Sequence, residues 1–245
     1  FGRKPKHHPR IILNAIFYLM QVGCPWRYLP ADFPPYTTVS YYYHRWRKEG
    51  VLQRIHDALR AEVRRAAGRA PEPSVVIVDS QSVACAPHKG GGATPRETAG
   101  YDPAKRVKGR KRFVAVDTQG WIWGLEVLPA SAHETHGGRW VVAQACVASS
   151  RVRQVWADTA YQGSFEEEIA QAWGVEVVIV QRRPPRGFAV LPKRWIVERT
   201  FGWLSGARRL ARDYECTPQS VMGWIWVRMI QLMVRRLTRR GRRRA

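Results

Sequence analysis

The sequence is poor in acidic residues, in cysteine and in long apolar runs, and each shortage argues against a class of protein. Asp and Glu account for 19 of its 245 residues, against 41 Lys and Arg, so the formal net charge is +22. The sequence pI is near 10.8. A surplus of this size attracts polyanions, and nucleic acid is the first candidate partner.

Cysteine is the second shortage. The four cysteines are widely separated and lack the paired spacing of zinc ligands; they are Cys24, Cys85, Cys146 and Cys216. We therefore expect reduced thiols in a cytosolic protein rather than disulfides or a zinc site.

Long apolar runs are the third shortage. The richest segment, 221–234, is too short to cross a bilayer and carries Arg228. The basic start lacks the cleavage-like end of a signal peptide. We expect a cytoplasmic protein without a membrane partner, and an anionic membrane surface is the weaker alternative to nucleic acid. Because the chain begins with Phe1 rather than Met, we also expect a natural segment before it.

Three helices are predicted in the first 70 residues, from apolar residues that recur at helical spacing. They run from Arg10 to a stop at Gly23, from 38 to 48 after a Thr37 cap, and from 51 to 67. The middle helix is both basic and aromatic, which is typical of a helix that meets DNA in a helix-turn-helix module.

The cations of that middle helix are candidate DNA contacts. We assign this role to Arg45, Arg47 and Lys48, with a solvated basic face as the alternative. The basic arm 2–9 has the same two interpretations.

Residues 68–73 form a small linker with proline and mark the predicted domain boundary. We expect a helical DNA-binding domain over 1–70, truncated at its N-terminus, then a second domain over 74–237 and a basic tail over 238–245.

Three acids occupy characteristic positions in the second domain. The apolar run Val75–Val78 predicts a buried strand that ends on Asp79, and the run 153–157 predicts another that ends on Asp158. Glu198 lies in a segment whose apolar spacing is helical. Two strands and one helix therefore each supply a carboxylate.

Such a trio suits two-metal phosphoryl transfer. Neighbouring strands lie about 4.8 Å apart, so two acids at adjacent strand ends can share a hard cation. The helix carboxylate can complete the shell of a second ion about 4 Å away. Singly, each acid has a common alternative: an Asp after a strand caps a turn, as we expect for Asp117, and a helical Glu faces water.

The remaining pattern completes the second domain. Strands over 113–116 and 121–128 are predicted to form a meander with the Asp79 strand. The stretch 132–137 contains two histidines and Glu134 without the His-Glu-x-x-His spacing, so we interpret it as a capped helix start. The last helix is predicted to begin at Thr217–Pro218, and a disordered basic tail to begin at Arg235.

The motifs around the acids resemble those of bacterial insertion-sequence transposases of the DDE type, in the IS5 group of the IS4/IS5 superfamily. The resemblance extends from about Gly2 to about Leu237. It rests on Val78-Asp-Ser-Gln-Ser82, Gly100-Tyr-Asp102, Lys105-Arg-Val-Lys-Gly-Arg-Lys-Arg112, Val116-Asp-Thr118, Ala157-Asp-Thr-Ala-Tyr161 and Val197-Glu-Arg-Thr-Phe-Gly-Trp-Leu204.

The resemblance implies a fold and a site. The fold is α/β, with a ribonuclease H-like mixed sheet flanked by helices after an all-helical, helix-turn-helix-like domain. In that fold the fourth strand lies beside the first, which places Asp158 next to Asp79. The implied catalytic residues and metal ligands are Asp79, Asp158 and Glu198, with Mg²⁺ as cofactor and Mn²⁺ as a substitute.

The resemblance also implies an activity and partners. A DNA transposase of this type binds element ends, cleaves DNA and joins the 3′-hydroxyl end to target DNA. Double-stranded DNA and further copies of the chain, as a homodimer or larger assembly, are the implied partners in the bacterial nucleoid. The alternatives are a metal-dependent nuclease without strand transfer and an inactive DNA-binding protein derived from a transposase.

Two basic groups flank the implied site. The polar segment 87–111 is interpreted as a loop that closes over DNA phosphates, with a disordered surface loop as the alternative. Its candidate DNA contacts are Lys105, Arg106, Lys108, Arg110 and Lys111. Near Glu198, Arg194 matches the family signature and is a candidate DNA contact. Leu191 and Ser205 stand where that signature has a tyrosine and a lysine. Arg208, a further candidate DNA contact, or Arg209 is positioned to replace that lysine.

Overall fold

The computed structural model describes residues 6–86, 98–180 and 195–241, with side chains as far as Arg239. The helices are α1 (Pro9–Val22), α2 (Tyr36–Lys48), α3 (Val51–Ala66), α4 (Glu134–Ala148), α5 (Ser164–Trp173), α6 (Trp195–Ser205), α7 (Arg208–Ala211) and α8 (Pro218–Gly241). The strands are β1 (Val75–Ala84), β2 (Gly100–Asp102), β3 (Val107–Asp117), β4 (Ile122–Pro129), β5 (Gln154–Asp158) and β6 (Glu176–Val180).

The three N-terminal helices are confirmed, with one correction at the start of α2. Glycine ends α1 at Gly23, where φ is 74°, a left-handed conformation that a residue with a Cβ rarely adopts. The predicted Thr37 cap is wrong, because α2 begins at Tyr36, two residues before the predicted start at residue 38. The carbonyl of Pro35 accepts the first helical hydrogen bonds, from the N–H groups of Thr38 and Val39 at 2.9 and 3.1 Å. Thr37 therefore lies inside the first turn.

The sheet has the order β2-β3-β1-β5-β6, and β4 pairs with β3. Strand β3 is antiparallel to β1, β2 and β4, whereas β5 is parallel to both β1 and β6. The predicted mixed sheet and three-strand meander are confirmed, as is the pairing of the Asp158 strand with the Asp79 strand. The short strand β2 was not predicted.

Strands β1 and β3 are longer than predicted, which changes the setting of Asp79. Pairing between them continues from Val76 opposite Asp117 to Ala84 opposite Gly109. Asp79 therefore lies within β1, at the level where β5 ends, and not at the exit of a strand. The second half of the predicted loop forms strand β2, a turn and the first residues of β3, which pair with β1 and with β2 or β4. Residues 87–97 lie outside the described residues.

Helices cover both faces of the sheet. One face packs against α4 and α5 through a cluster that includes Val76, Val78, Phe113 and Val142. The other face packs against α6, α8 and the N-terminal helices in one continuous cluster. That cluster includes Ile12, Leu19, Ile77, Val116, Val197, Trp224 and Ile230. Helices α1 to α3 thus share a core with the sheet, so residues 68–73 do not separate two independent cores.

The end of the chain also differs from the prediction. Helix α8 begins at Pro218 as predicted, but it continues to Gly241, well past Arg235. The described part of the predicted tail, residues 235–241, is therefore helical, as a continuation of the helix whose buried residues extend to Met233. Among the helices described, none has both the length and the apolar character needed to cross a membrane.

A buried ion pair fastens α3 to the turn between β3 and β4. Asp117 accepts hydrogen bonds from the N–H groups of Gln119 and Trp121 at 2.8 and 3.1 Å, which confirms the predicted turn cap. Its other oxygen contacts the guanidinium of Arg64, and both side chains are almost fully buried. Arg64 also donates to the carbonyl of Ala70 at 2.8 Å, at the predicted boundary.

Replacing Arg64 by alanine should destabilise the protein strongly, since Asp117 would keep a buried charge without its ionic partner. Breaking such a pair costs about 3–5 kcal/mol. The matched control is Arg65→Ala, which removes an exposed pair with Glu62 and should cost less than about 1 kcal/mol. Urea denaturation followed by circular dichroism measures both. Equal losses in the two variants would contradict the assignment.

Candidate active site

Two of the three predicted acids lie side by side on adjacent parallel strands. The register pairs Val76 with Val155 and Ile77 with Trp156. Two residues further along each strand are Asp79 and Asp158, so this register sets the two aspartates level. Adjacent strands lie about 4.8 Å apart, a spacing at which two carboxylates can share one cation.

Both aspartates project from the same face of the sheet. Side chains alternate along a strand, so Asp79 shares a face with Ile77, and Asp158 shares a face with Trp156. Ile77 and Trp156 pack into the cluster that also contains Ile196 and Val197 of α6. The aspartates therefore belong to the face that α6 covers.

Glu198 lies on this covering helix. It follows the buried Val197 and is itself exposed. Within the residues described, no group of three or more His, Cys, Asp or Glu side chains is close enough to hold a metal ion. The structure thus pairs Asp79 with Asp158 and leaves Glu198 on the neighbouring helix, so the assignment of all three as metal ligands stays a prediction.

Backbone N–H groups orient both aspartates. Ser80 donates its N–H to Oδ1 of Asp79 at 2.8 Å. Ala160 donates to Oδ1 of Asp158 at 2.9 Å, where the carboxylate caps the short helical turn that ends at Tyr161. Charge-assisted bonds of this kind hold a carboxylate in a defined orientation. Paired carboxylate oxygens fit the ligand preference of a hard divalent cation.

A buried tyrosine lies among the acids. Tyr161 is fully buried, and its hydroxyl has no hydrogen-bond partner of normal geometry in the described structure. Burial raises the pKa of this phenol well above 10, and the negative charges of Glu134, Asp79 and Asp158 raise it further. Tyr161 is therefore a neutral phenol at physiological pH, and the three carboxylates lie close enough to affect it electrostatically.

A polar network was missed at the sequence level. Ser80 Oγ donates to Oε2 of Glu134 at 2.6 Å, and Nζ of Lys111 donates to Oε1 of the same carboxylate at 3.0 Å. The stretch 132–137 does contain a capped helix start, as predicted, and the cap is the side chain of His133. The available signal was Ser80 itself, a polar residue on the strand face that otherwise carries Val76 and Val78.

The comparisons with known proteins decide the family. Residues 1–56 match the family model "Putative transposase of IS4/5 family", and residues 70–233 match the model "Transposase DDE domain". The second model alone covers most of the chain. The protein belongs to the DDE transposase family, in its IS4/5 group.

Individual relatives of this DDE family member are more distant. The "Putative transposase for insertion sequence element IS402" of Burkholderia cepacia is 38% identical over 65 residues, which cover 26% of this chain and 31% of that protein. The matched stretch therefore spans about a third of that relative. Among solved structures, the catalytic domain of Mos1 mariner transposase has a TM-score of 0.37 at 13% identity, covering 76% of this chain and 89% of its own. The Mos1 paired-end complex with left transposon end also has a TM-score of 0.37, at 15% identity, covering 95% of this chain and 77% of its own.

The predicted DNA contacts of this DDE family member fall into two groups at β3. Lys105, Arg106 and Lys108 are exposed, around the turn between β2 and β3. Arg110 and Lys111 are buried in ion pairs, Arg110 with Asp213 at 2.9 Å and Lys111 with Glu134 at 3.0 Å. For Arg110 and Lys111 the DNA-contact interpretation is corrected, because both side chains are buried and paired with carboxylates of the same chain.

The cations of α2 surround a surface hollow. Arg45 and Lys48 are exposed, whereas Arg47 is partly buried. Arg45 forms an exposed pair with Glu49 at 2.9 Å. The hollow has a volume of about 630 Å³ and is also lined by Tyr41 and His44. Its combination of cationic and aromatic side chains suits nucleic acid, and these contacts stay a prediction.

Arg208 and Arg209, the two candidates to replace the family lysine near α6, differ in exposure and in their partners. Arg209 pairs with Glu215 at 2.7 Å and lies over the ring of Trp224, with its guanidinium carbon 4.4 Å from the ring centroid. Arg208 is exposed and remains the better candidate. Arg194 and Leu191 lie outside the described residues.

Proposed function

We propose that this chain is the DNA-binding and catalytic part of a transposase that cuts element ends and joins the resulting 3′-hydroxyl to target DNA. The observation that carries the proposal is the β1–β5 register, which sets Asp79 level with Asp158 on the face covered by the helix of Glu198. Membership of the DDE family supplies the reaction class for this arrangement.

The acids act as cation ligands. Asp79 and Asp158 would hold a divalent cation through their carboxylate oxygens, and Glu198 would contribute a further carboxylate from α6. A bound divalent cation, Mg²⁺ or Mn²⁺, supplies Lewis-acid activation of an oxygen nucleophile and neutralises charge at the phosphate. Because the nucleophiles are water and a DNA hydroxyl, no covalent intermediate between protein and DNA forms.

DNA is the partner that the exposed cations suit. Positive side chains at the β2–β3 turn and on α2 attract phosphates without reading sequence, which gives binding that weakens with salt. Two element ends must meet for joining, so we propose a homodimer or larger assembly on DNA. We place this assembly at the bacterial nucleoid, in the cytoplasm.

A cleavage and joining assay tests the function. A labelled DNA library first recovers the bound ends, and the enriched duplex is then incubated with protein and a target plasmid in Mg²⁺ or Mn²⁺. Joined products support the transposase. Cuts without joining would favour a nuclease, and binding with neither would favour an inactive DNA-binding protein.

Alanine at Asp79 or at Asp158 should abolish both nicks and joined products while DNA binding persists. We expect activity to fall by more than about 100-fold, since even residues that only support metal ligands cost 10–100-fold when removed. Glu198→Ala should behave in the same way. Glu126→Ala, on β4, is the matched control and should keep activity. Undiminished cleavage by any of the three variants would remove that acid from the site.

Removing the exposed cations Lys105, Arg106 and Lys108 together should weaken DNA binding and flatten its salt dependence. The slope of log K against log salt falls by about 0.9 for each phosphate that the protein no longer neutralises. The control removes three exposed cations elsewhere, Arg65, Arg69 and Arg151, at the same change of net charge. Fluorescence anisotropy at several salt concentrations measures both. The same slope in both triple variants would contradict a DNA contact at the β2–β3 turn.

A further inference from the structure

A closed polar network lies on the sheet face opposite to the aspartate pair. Strand β1 alternates, so Ser80 and Ser82 face α4 while Asp79 faces α6. Glu134, in the first turn of α4, accepts from Ser80 Oγ at 2.6 Å and from Lys111 Nζ at 3.0 Å. Lys111 also donates to the carbonyl of Ala132 at 3.0 Å. One carboxylate thus connects β1, β3 and the start of α4.

The far end of the network is held by Asp102. Ser82 Oγ donates to Asp102 Oδ2, and Lys111 Nζ lies 3.7 Å from the same oxygen. The N–H groups of Ala104 and Lys105 donate to Oδ1 at 3.0 and 3.1 Å. Lys111 is buried between two carboxylates, so its position is fixed from both sides, and Glu134 has a rigid ionic partner.

Ser80 connects this network to Asp79. Its side chain is fixed by Glu134 and its own N–H is the donor to Asp79 Oδ1 at 2.8 Å. Without this acceptor the Ser80 side chain would lose its contact with α4, and the peptide that carries the N–H would be held only by the pairing of β1 with β3. This N–H orients the Asp79 carboxylate, so greater motion of Ser80 would make the orientation of that carboxylate less defined.

We propose that Glu134 is a positioning residue for the metal-binding carboxylate of Asp79, acting through Ser80 with Lys111 as its anchor. The inference rests on the proposed function, because it assigns Glu134 to the support of that same cation site. Glu134 does not itself bind the cation. Removing a residue that orients a metal ligand typically weakens metal binding 10–100-fold, and that is the range expected here.

Metal binding by the DNA-free protein tests the proposal. Mn²⁺ binding is measured by titration calorimetry on wild type and on Ser80→Ala, Glu134→Ala and the double variant. We expect each single variant to raise the Mn²⁺ dissociation constant at least tenfold. The double variant should be little worse than either single one, because both remove the same hydrogen bond. Glu134→Gln, which can still accept from Ser80, should recover part of the affinity.

Ser82→Ala is the matched control. It removes a hydroxyl from the same strand face and the same network, two residues from Ser80, without touching Glu134. Its Mn²⁺ dissociation constant should stay within about twofold of wild type. Equally weakened binding in Ser82→Ala, or unchanged Mn²⁺ binding in Glu134→Ala, would overturn the proposal, as would additive effects in the double variant.

Asp79→Ala separates the positioning role from the cation site itself. If Asp79→Ala abolishes Mn²⁺ binding while Glu134→Ala binds like wild type, the positioning role fails and the proposed function stands. If Asp79→Ala binds Mn²⁺ like wild type, the cation site itself is wrong, and the role of Glu134 falls with it.

Discussion

Strand β1 is hydrogen-bonded on both sides at Val76 and Ile77, just before Asp79, and the rest of the site depends on this constraint. Antiparallel pairing with β3 fixes one edge of β1, and parallel pairing with β5 fixes the other. A shift of one residue in either register would move Asp79 or Asp158 to the opposite face. The buried residues Ile77 and Val78, which face opposite layers of helix, make such a shift costly.

The net charge of the chain has two different uses. Part of it is internal: Arg60 lies over the ring of Trp123 at 3.4 Å, and burial lowers its pKa to about 10. Burial also lowers the pKa of Arg112 to about 10, and its guanidinium donates to the carbonyl of Leu210 at 2.8 Å. Composition alone counts these groups together with the exposed cations, so it overstates the charge available to DNA.

Local patterns predicted most elements, because helical spacing, capping residues and apolar runs act over a few residues. The extension of β1 past Asp79 could not be read in this way, since Ser80 and Gln81 are polar and become strand only because β3 pairs with them. The basic run 107–112 likewise resembled a loop, because its polar side chains give no strand pattern and only pairing with neighbouring strands makes it a strand. Two of its buried cations, Arg110 and Lys111, are neutralised by Asp213 and Glu134, which are distant in sequence.

In the candidate site, too, the residues in local motifs were predicted and a residue with distant contacts was not. Asp79, Asp158 and Glu198 were predicted as site residues from their motifs, and the adjacency of the two aspartates followed from the fold that the resemblance implies. Glu134 was not found, because its partners Ser80 and Lys111 come from two other elements and share no local motif with it. A contact between three distant segments leaves little trace in any one of them.

The most direct test of a cation site shared by the two aspartates is iron-mediated cleavage of the protein backbone. Fe²⁺ replaces Mg²⁺ at a carboxylate site, and with ascorbate and peroxide it cuts the peptide chain close to the bound ion. A shared site predicts fragments that end near both Asp79 and Asp158, suppressed by excess Mg²⁺ and absent in Asp79→Ala. Cuts at one of these strands alone, or cuts centred on His133 and His136, would contradict it.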